Sequence, residues 1–480
     1  MLLRFLKIPG LEYEILESSN RVGGRIYTYH FTKEKHQYYD VGAMRYPRIQ
    51  LMKPLFDLFH RIGVEDRLIK YYHDGIDSAK NTPELYNNIL HVTNSSKSHR
   101  IKADSSFADK FQNADIYNVG SATGGTVPEQ NVIKGATNIM DEIYGPFRDT
   151  LDAGFGEGWN KLMNEDFLSA RQVLRRSSQY GDNDTIQWLD TMMCDNLMDN
   201  YISSVPDIVA DGDRWVCIEG GSEVIIQAME AHLNVKPQLK TRVTTISIDH
   251  TTDASNLGML VQVAREDNPR RYSTVFNTTT LACAQRMDLR GADLSFAQNE
   301  AIRSLKYDTS CKIAIRFKTN WWKKAGIVGG EAPTDLPIRL CVYPSYNIYD
   351  DPNQPAVMLC SYTWSQDAPR MGSLIGEGGE GKSGVAMFAP GQFQRMIQHL
   401  SRPCANGNLH FIGEATSTTH AWVLGALNSA WRGVYQFLQK QESEGEEYQE
   451  FWQRKMEALI LEFGEPDELE VLTPRGELMS

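Results

Sequence analysis

The alternation of hydrophobic and polar residues predicts short strands and helices along most of the chain. Residues 11–16 alternate apolar and polar side chains, which predicts a short strand. Residues 51–68 begin with apolar positions at helical spacing, which predicts a helix. Residues 72–115 are mixed and predict strands and loops, whereas residues 138–200 carry repeated helical patterns that predict a helical insertion.

The pattern changes after residue 214. A strand is predicted at residues 215–218, and it leads through a glycine turn into a helix over residues 224–233. Alternating apolar residues predict further short strands at 243–248, 259–263, 272–280, 313–317 and 357–364. An apolar stripe over residues 421–440 predicts a long amphipathic helix, and a second amphipathic piece follows at residues 451–463.

The composition limits the class of protein. The chain has 480 residues, of which 41% are hydrophobic and 23% charged, as in an ordinary soluble protein of two or three domains. The formal net charge of −12 argues against a nucleic-acid partner, because a phosphate backbone would be repelled. The sequence contains no run of about 18 apolar residues, so no membrane span is predicted. Residues 1–9 are too short for a signal peptide, so a cytoplasmic location is favoured.

The spacing of cysteines and histidines does not predict a metal site. The seven cysteines are spread from Cys194 to Cys404 without a Cys-x-x-Cys pair, so neither zinc nor a disulfide scaffold is indicated. His73, His91 and His99 are not spaced as ligands on one helix face, and we interpret them as structural.

The first candidate binding motif follows the strand at residues 11–16. Glu17 stands at the carboxyl end of this strand, where an acidic residue accepts hydrogen bonds from a ribose diol in doubly wound nucleotide-binding sheets. Gly23 and Gly24 allow backbone amides to approach a pyrophosphate closely, and Arg25 supplies a cationic fork suited to a phosphate. The alternative is a strand followed by a simple glycine turn.

Two further motifs carry candidate chemistry. Residues 42–47 read Gly-Ala-Met-Arg-Tyr-Pro, and Arg45 is suited to a planar carboxylate, which guanidinium binds in a bidentate way that Lys cannot copy. The alternative is a surface arginine in a salt bridge. At residues 409–425, a predicted strand is followed by Gly413, Glu414 and the start of a helix, whose amides and positive end favour negative charge.

Together, these motifs resemble the signatures of the flavin-dependent amine oxidases, and residues 42–47 resemble the fungal-type L-amino-acid oxidases in particular. The likeness runs in order from residue 11 to residue 440. It implies an α/β fold, with a Rossmann-like FAD-binding domain of the amine oxidase type, a β-rich substrate domain and a helical insertion. The implied bounds are 1–48, 214–290 and 405–441 for the FAD-binding domain, 49–115 and 291–404 for the substrate domain, 116–213 for the insertion and 442–480 for an acidic carboxy-terminal tail.

Two stretches depart from the family pattern. The family places a strand, a G-x-G-x-x-G loop and most of a helix before the residue 11–25 motif, and these are absent, so we expect the FAD-binding domain to be incomplete at its amino end. Residues 372–384 are glycine-rich and of low complexity, which indicates a shortened section. Both departures keep open a non-catalytic or flavin-poor remnant of the family.

The resemblance also implies roles for individual residues. Arg45 and Tyr362 would hold a substrate carboxylate, Lys312 would hold a water against the flavin N5 atom, and Trp422 would wall the site. On pattern alone, Lys312 is a solvated charge and Tyr362 a half-buried strand tyrosine. The implied contacts to FAD are Glu17, Gly23, Gly24, Arg25, Ala43, Met44, Arg45, Val243, Gly413, Glu414, Ala421, Trp422 and Val423.

The implied reaction is the FAD-dependent oxidative deamination of L-amino acids. A hydride passes from the substrate Cα to the flavin, O₂ reoxidises the flavin to give hydrogen peroxide, and the imine hydrolyses to a 2-oxo acid and ammonia. The alternative within the family is a monoamine or polyamine oxidase, whose substrate has no carboxylate for Arg45 to bind. By analogy with family members, we also expect a homodimer.

Overall fold

The structure is a computed structural model. It describes residues 2–76, 81–92, 114–153, 155–193, 215–251, 258–372, 382–444 and 448–463. The helices are α1 (Leu2–Phe5), α2 (Lys53–Arg61), α3 (Glu129–Lys134), α4 (Ala136–Ala153), α5 (Phe155–Met163), α6 (Ala170–Arg175), α7 (Asn183–Met193), α8 (Glu223–Ala231), α9 (Leu281–Ala284), α10 (Phe296–Ser304), α11 (Trp321–Lys324), α12 (Asp367–Gly372), α13 (Phe393–Leu400), α14 (Val423–Glu444) and α15 (Gln449–Phe463). The strands are β1 (Thr28–His30), β2 (Tyr38–Asp40), β3 (Tyr46–Pro47), β4 (Leu68–Lys70), β5 (Pro83–Tyr86), β6 (Ile89–Val92), β7 (Trp215–Ile218), β8 (Val243–Asp249), β9 (Gly258–Val263), β10 (Arg270–Tyr272), β11 (Val275–Asn277), β12 (Lys306–Phe317), β13 (Gly330–Pro333), β14 (Leu340–Tyr343), β15 (Ala356–Trp364), β16 (Lys382–Met387) and β17 (Leu409–Phe411).

The predicted strand at residues 11–16 forms one β-bridge instead of a ladder. Leu16 bridges Gln238 in parallel. The Gln238 amide donates to the Ile15 carbonyl at 2.8 Å, and the Glu17 amide donates to the Gln238 carbonyl at 2.9 Å. The prediction of a short strand is therefore wrong, because the backbone pairing is confined to this one bridge with Gln238.

A second parallel piece and an antiparallel meander continue this region. β11 and β17 pair in parallel, with Val275 opposite Leu409 and Asn277 opposite Phe411. β8, β9 and β10 form an antiparallel sheet in the order β10-β9-β8. The strands predicted at residues 243–248 and 259–263 are confirmed, whereas the stretch predicted at 272–280 divides between β10 and β11.

The largest sheet has five strands in the order β13-β14-β15-β12-β16. The strand predicted at residues 313–317 is the second half of β12, which has 12 residues. β12 pairs antiparallel with β15, so Lys312 lies directly opposite Tyr362, and the register shifts between Ile313 and Ala314. This register brings together two residues that are far apart in the sequence.

A small sheet in the order β3-β7-β4 positions the residue 42–47 motif. β3 and β7 are antiparallel, with Tyr46 opposite Val216 and Pro47 opposite Trp215. Arg45 therefore lies near Trp215, and its guanidinium carbon is 5.3 Å from the centre of the Trp215 ring.

The helical pattern predicted over residues 138–200 is confirmed in its described part by α4 to α7, and α3 precedes them. A capping box starts α6, since Ser169 and Gln172 exchange side-chain and backbone hydrogen bonds. The insertion shares a core with the rest of the fold, because the fully buried Leu162 and Leu189 belong to the same hydrophobic cluster as Phe393 of α13.

The carboxy-terminal elements also follow the predicted pattern. The helix predicted at residues 421–440 is α14, and the piece predicted at 451–463 is α15. Buried Leu438 of α14 clusters with Met456 and Leu459 of α15, so the second helix packs on the first. Across the described residues, no helix has the length and hydropathy that a bilayer-spanning segment requires. Most of the low-complexity stretch lies outside the described residues, at 373–381.

Candidate active site

One large cavity collects every site residue that the sequence predicts. Its volume is about 2530 Å³, which exceeds the roughly 300–1,000 Å³ of a site for one small ligand. A cavity of this size has room for a dinucleotide together with a substrate. The predicted residues that line it are Glu17, Gly23, Gly24, Arg25, Ala43, Met44, Arg45, Val243, Lys312, Tyr362, Gly413, Glu414, Ala421, Trp422 and Val423.

The glycine turn at residues 23–24 has the conformation that its sequence demands. Gly23 has φ +97°, and a Cβ at this position would lie 2.7 Å from the Ile26 carbonyl oxygen. Gly24 has φ +55°, which also favours glycine. Nearby, Glu17 accepts a hydrogen bond from the Ser19 amide at 2.7 Å through only one of its carboxylate oxygens. Gly23 and Gly24 both line the cavity. Because neither has a side chain, the turn presents its backbone to the cavity.

Two of the predicted cofactor residues bind each other. Arg25 donates to Glu414 at 2.9 Å. Glu414 also accepts from the amides of Ala386 at 2.9 Å and Ala421 at 3.0 Å. Burial alone would raise the pKa of Glu414, but the neighbouring His420 ring and the Arg25 charge lower it to about 2. Glu414 is therefore an anion held by the protein, and it fixes the backbone at Ala421 where α14 begins.

Several buried polar atoms on the cavity wall have no hydrogen-bond partner among the described residues. They are the Tyr13 hydroxyl, Thr274 Oγ1, Trp422 Nε1, Asn428 Nδ2 and Trp431 Nε1. A buried polar group left without a partner costs about 1–3 kcal/mol. All five can donate a hydrogen bond, and FAD carries phosphate, hydroxyl and carbonyl oxygens that accept one. The wall therefore fits this cofactor.

Lys312 lines another part of the cavity. This side chain is only 4% exposed, and its Nζ donates to the carbonyl oxygens of Asp40 at 3.1 Å and Gly42 at 2.5 Å. The Nζ also lies 4.8 Å from the centre of the Tyr362 ring. Burial lowers the pKa of Lys312 to about 7. Burial also raises the pKa of Asp40 to about 6. The charge of both groups therefore changes with pH between about 6 and 7.

Arg45 has a partner that the sequence analysis missed. Its Nη1 donates to Glu331 of β13, and Glu331 also accepts from the Tyr71 hydroxyl at 2.6 Å. Burial by itself would raise the pKa of Glu331, but the Arg45 charge and His73 lower it to about 2. Glu331 lies in a Gly-Glu-Ala-Pro stretch with no recognisable motif, so no local signal marks it as a site residue.

Aromatic rings wall the same part of the cavity. The rings of Trp215 and Trp422 lie 5.9 Å apart, and those of Tyr362 and Trp364 lie 4.6 Å apart. All four residues line the cavity. Trp215 and Trp364 were not predicted as site residues, because a tryptophan in an apolar strand is more often part of a core.

Comparison with known proteins decides the family. The family model described as flavin containing amine oxidoreductase matches residues 4–375. The chain belongs to this family. The assignment confirms the predicted family, and with it the predicted flavin cofactor, FAD.

The relatives of this flavin-containing amine oxidoreductase differ in the substrates that their names state. The chain is 32% identical to L-amino-acid oxidase 4 of Hebeloma cylindrosporum, over 91% of this chain and 79% of the relative. It is 33% identical to a predicted bifunctional amine oxidase of Dictyostelium discoideum, over 90% of this chain but only 44% of that longer protein. The chain therefore spans less than half the length of this relative.

Solved structures share the fold. A triple mutant of putrescine oxidase superposes with a TM-score of 0.64 at 15% identity, and the match covers 92% of this chain and 96% of the other. Cyclohexylamine oxidase from Brevibacterium oxydans gives a TM-score of 0.61 at 12% identity, and the match covers 92% and 96% of the two chains. The predicted α/β flavoprotein fold is thereby confirmed. At this level of identity the likeness carries no information on the substrate.

Proposed function

We propose that this amine oxidoreductase is an FAD-dependent L-amino-acid oxidase. The observation that carries the proposal is that Arg45, Tyr362 and Lys312 all line this cavity, with Lys312 Nζ 4.8 Å from the centre of the Tyr362 ring. A guanidinium has five N–H donors. Within the described part of the chain, Arg45 uses Nη1 for Glu331, so donors remain for the carboxylate of a substrate. Its relationship to a fungal enzyme named as an L-amino-acid oxidase supports the same substrate class.

Each residue has a distinct task in the proposed reaction. Arg45 and the Tyr362 hydroxyl bind the substrate carboxylate and so orient the Cα–H bond. Lys312, which is neutral above about pH 7, holds a water or accepts a proton beside this carbon. Trp215 and Trp422 exclude bulk water from the amine end. FAD, when bound, would supply the two-electron acceptor and the route by which electrons reach O₂.

The cofactor would lie along the predicted contacts. The Gly23–Gly24 turn would approach the pyrophosphate, Glu17 the ribose, and Val243 the adenine end. The amides near Ala421 and Val423 at the start of α14 would favour negative charge on the reduced ring. We also propose the domain division given above, with the FAD-binding domain at residues 1–48, 214–290 and 405–441.

One observation favours the second candidate function, an oxidase of simple amines. Arg45 already has an internal carboxylate partner in Glu331. Because Glu331 balances the charge of Arg45, this arginine by itself does not require a substrate with a carboxylate. In this case Arg45 would be a structural residue of the wall, and the substrate would carry no carboxylate.

A substrate panel separates the two functions. The full chain, supplied with FAD, is assayed for peroxide release with pairs that differ only in the carboxylate: L-phenylalanine with 2-phenylethylamine, and L-ornithine with putrescine. The proposal expects faster turnover of the amino acids. Faster turnover of the amines would support the second function instead, and a colourless protein without a flavin absorption band would support a non-catalytic remnant.

The variant Arg45→Ala sharpens this test. Two charge-assisted hydrogen bonds to a carboxylate contribute roughly 3 kcal/mol together, so kcat/KM for amino acids should fall about 100-fold while the amines are spared. The matched control is Arg48→Ala, since Arg48 lies three positions away and is exposed. Equal losses on amines and amino acids would contradict the assignment of Arg45.

A further inference from the structure

We infer that Glu331 is a positioning residue that sets the orientation of Arg45 and thereby determines how an amino-acid substrate is aligned. The inference rests on the proposed function, because it assumes that Arg45 binds the substrate carboxylate. Arg45 lines the cavity, whereas Glu331, Tyr71 and His73 do not. Glu331 and Tyr71 contact Arg45 directly, and His73 contacts both of them.

The carboxylate of Glu331 is held in place by its own partners. Its Oε1 accepts from the Tyr71 hydroxyl at 2.6 Å, and its Oε2 lies 3.3 Å from His73 Nδ1. The Glu331 amide donates to the His73 carbonyl at 2.6 Å. Both ends of the residue are therefore tied to the segment around residues 71–73.

The backbone at this point is closely packed as well. Gly330 precedes Glu331 and has φ +99°, and a Cβ on it would lie 2.7 Å from the Gly75 amide nitrogen. Glycine is required here, because both the conformation and the close approach exclude a side chain. Glu331 therefore projects from a backbone position that has little freedom to shift.

The guanidinium of Arg45 is confined on its remaining sides by aromatic rings. Its central carbon lies 5.6 Å from the Tyr71 ring centre and 5.3 Å from the Trp215 ring centre. His73 contacts both rings, at 4.9 Å and 5.0 Å between centres. Nη1 of the guanidinium donates to Glu331, and Arg45 also lines the cavity.

This arrangement separates orientation from charge. The positive charge of Arg45 attracts a carboxylate whether or not Glu331 is present. Glu331 determines which N–H groups are left for that carboxylate and at what angle they are presented. Loss of Glu331 should therefore impair the alignment of the reacting Cα–H bond more than it impairs binding, since alignment is the more demanding requirement.

The test compares Glu331→Gln with Arg45→Ala in the full chain loaded with FAD. In Glu331→Gln, kcat for amino acids should fall at least 10-fold while KM changes less than threefold. The binding of benzoate, a non-reactive carboxylate, should stay within threefold when measured by calorimetry. Arg45→Ala should lose benzoate binding as well as turnover. The matched control is Glu266→Gln, which removes a carboxylate paired with Arg270 at 2.6 Å. Neither residue lines the cavity.

Two outcomes would overturn the inference. An unchanged kcat for amino acids in Glu331→Gln would show that the arginine needs no such support. Equal losses of amine and amino-acid turnover, with lower flavin content and lower Tm, would show a purely structural role. If Arg45→Ala itself leaves the preference for amino acids intact, the proposed function fails. This result does not depend on the measurements made with Glu331→Gln.

A gentler variant covers the case in which Glu331→Gln does not fold. Tyr71→Phe removes only the hydroxyl that bonds to Glu331 and keeps the ring beside Arg45. It should lower kcat for amino acids about two- to fivefold with the same small change in KM. Glu331→Asp should recover part of the activity that Glu331→Gln loses, because it restores the charge at a shorter reach. An unchanged kcat in Tyr71→Phe, or no recovery in Glu331→Asp, would count against the inference.

Discussion

Burial of Lys312 predicts how the free energy of unfolding depends on pH. This prediction does not depend on catalysis. In Lys312→Met, an apolar side chain of similar length replaces a buried amine. Burial lowers the pKa of Lys312 from its usual 10.5 to about 7. Because the folded-state pKa lies below the unfolded-state pKa, the unfolded chain binds more protons between pH 7 and pH 10.5. The stability of the wild-type protein therefore rises with pH across this interval.

The magnitude follows from the shift. Each pH unit within the interval changes the contribution of Lys312 by about 1.4 kcal/mol. Between pH 7.5 and pH 9.5, the free energy of unfolding of the wild type should therefore rise by roughly 2.7 kcal/mol relative to that of Lys312→Met. The variant also loses the hydrogen bonds to the Asp40 and Gly42 carbonyls. That loss is the same at both pH values and cancels in the comparison.

The assay is urea unfolding followed by tryptophan fluorescence at pH 7.5 and pH 9.5. Asp40 titrates outside this pH interval. Burial raises its pKa from 3.8 to about 6, so its contribution to the free energy of unfolding falls between about pH 4 and pH 6 and is constant above pH 7.5. The matched control is Lys306→Met, an exposed lysine on the same strand. A difference between wild type and Lys312→Met that stays constant within 0.5 kcal/mol, on the order of the usual experimental error, would refute the reasoning.

Two further variants test the cofactor turn and the helical insertion. Gly23→Ala should reduce the fraction of protein that retains FAD after gel filtration, because φ +97° and the 2.7 Å approach to the Ile26 carbonyl leave no room for a methyl group. Gly63→Ala, at a positive φ in open space, serves as its control, and equal FAD retention in both variants would contradict the prediction. Leu162→Ala should lower the free energy of unfolding by about 2–5 kcal/mol, since Leu162 is fully buried in the shared core. Phe167→Ala at a site 63% exposed should cost far less, and similar losses for both would show that the insertion does not share that core.

The site residues recognised by motif and those missed differ in one physical respect. Gly23 and Gly24 belong to a turn whose conformation depends on its own few residues, so the sequence is enough to identify it. Glu331 acquires its role from Arg45, which lies 286 positions away in the chain. No local pattern encodes this partnership, because it depends on how β13 is seated against residues 71–75.

The same distinction applies to the charged residues at the cofactor end. Arg25 and Glu414 were both predicted to contact FAD, and both line the cavity. The motifs around the two residues do not indicate that Arg25 and Glu414 pair with each other at 2.9 Å. The pairing gives Arg25 a role in holding Glu414, in addition to any contact with a phosphate.

The amino-acid sequence alone determined the family, the α/β class and many of the helices and strands. It also identified the motif residues that line the cavity, but not Trp215 or Trp364. The family follows from the resemblance of the motifs at residues 11–25, 42–47 and 409–425, and the elements follow from hydrophobic periodicity, which acts over a few residues. The tertiary structure alone decided that Lys312 lies opposite Tyr362 and that Arg45 is paired with Glu331. Strand register and the packing of distant segments produce such contacts, and burial then sets the charge state of each group.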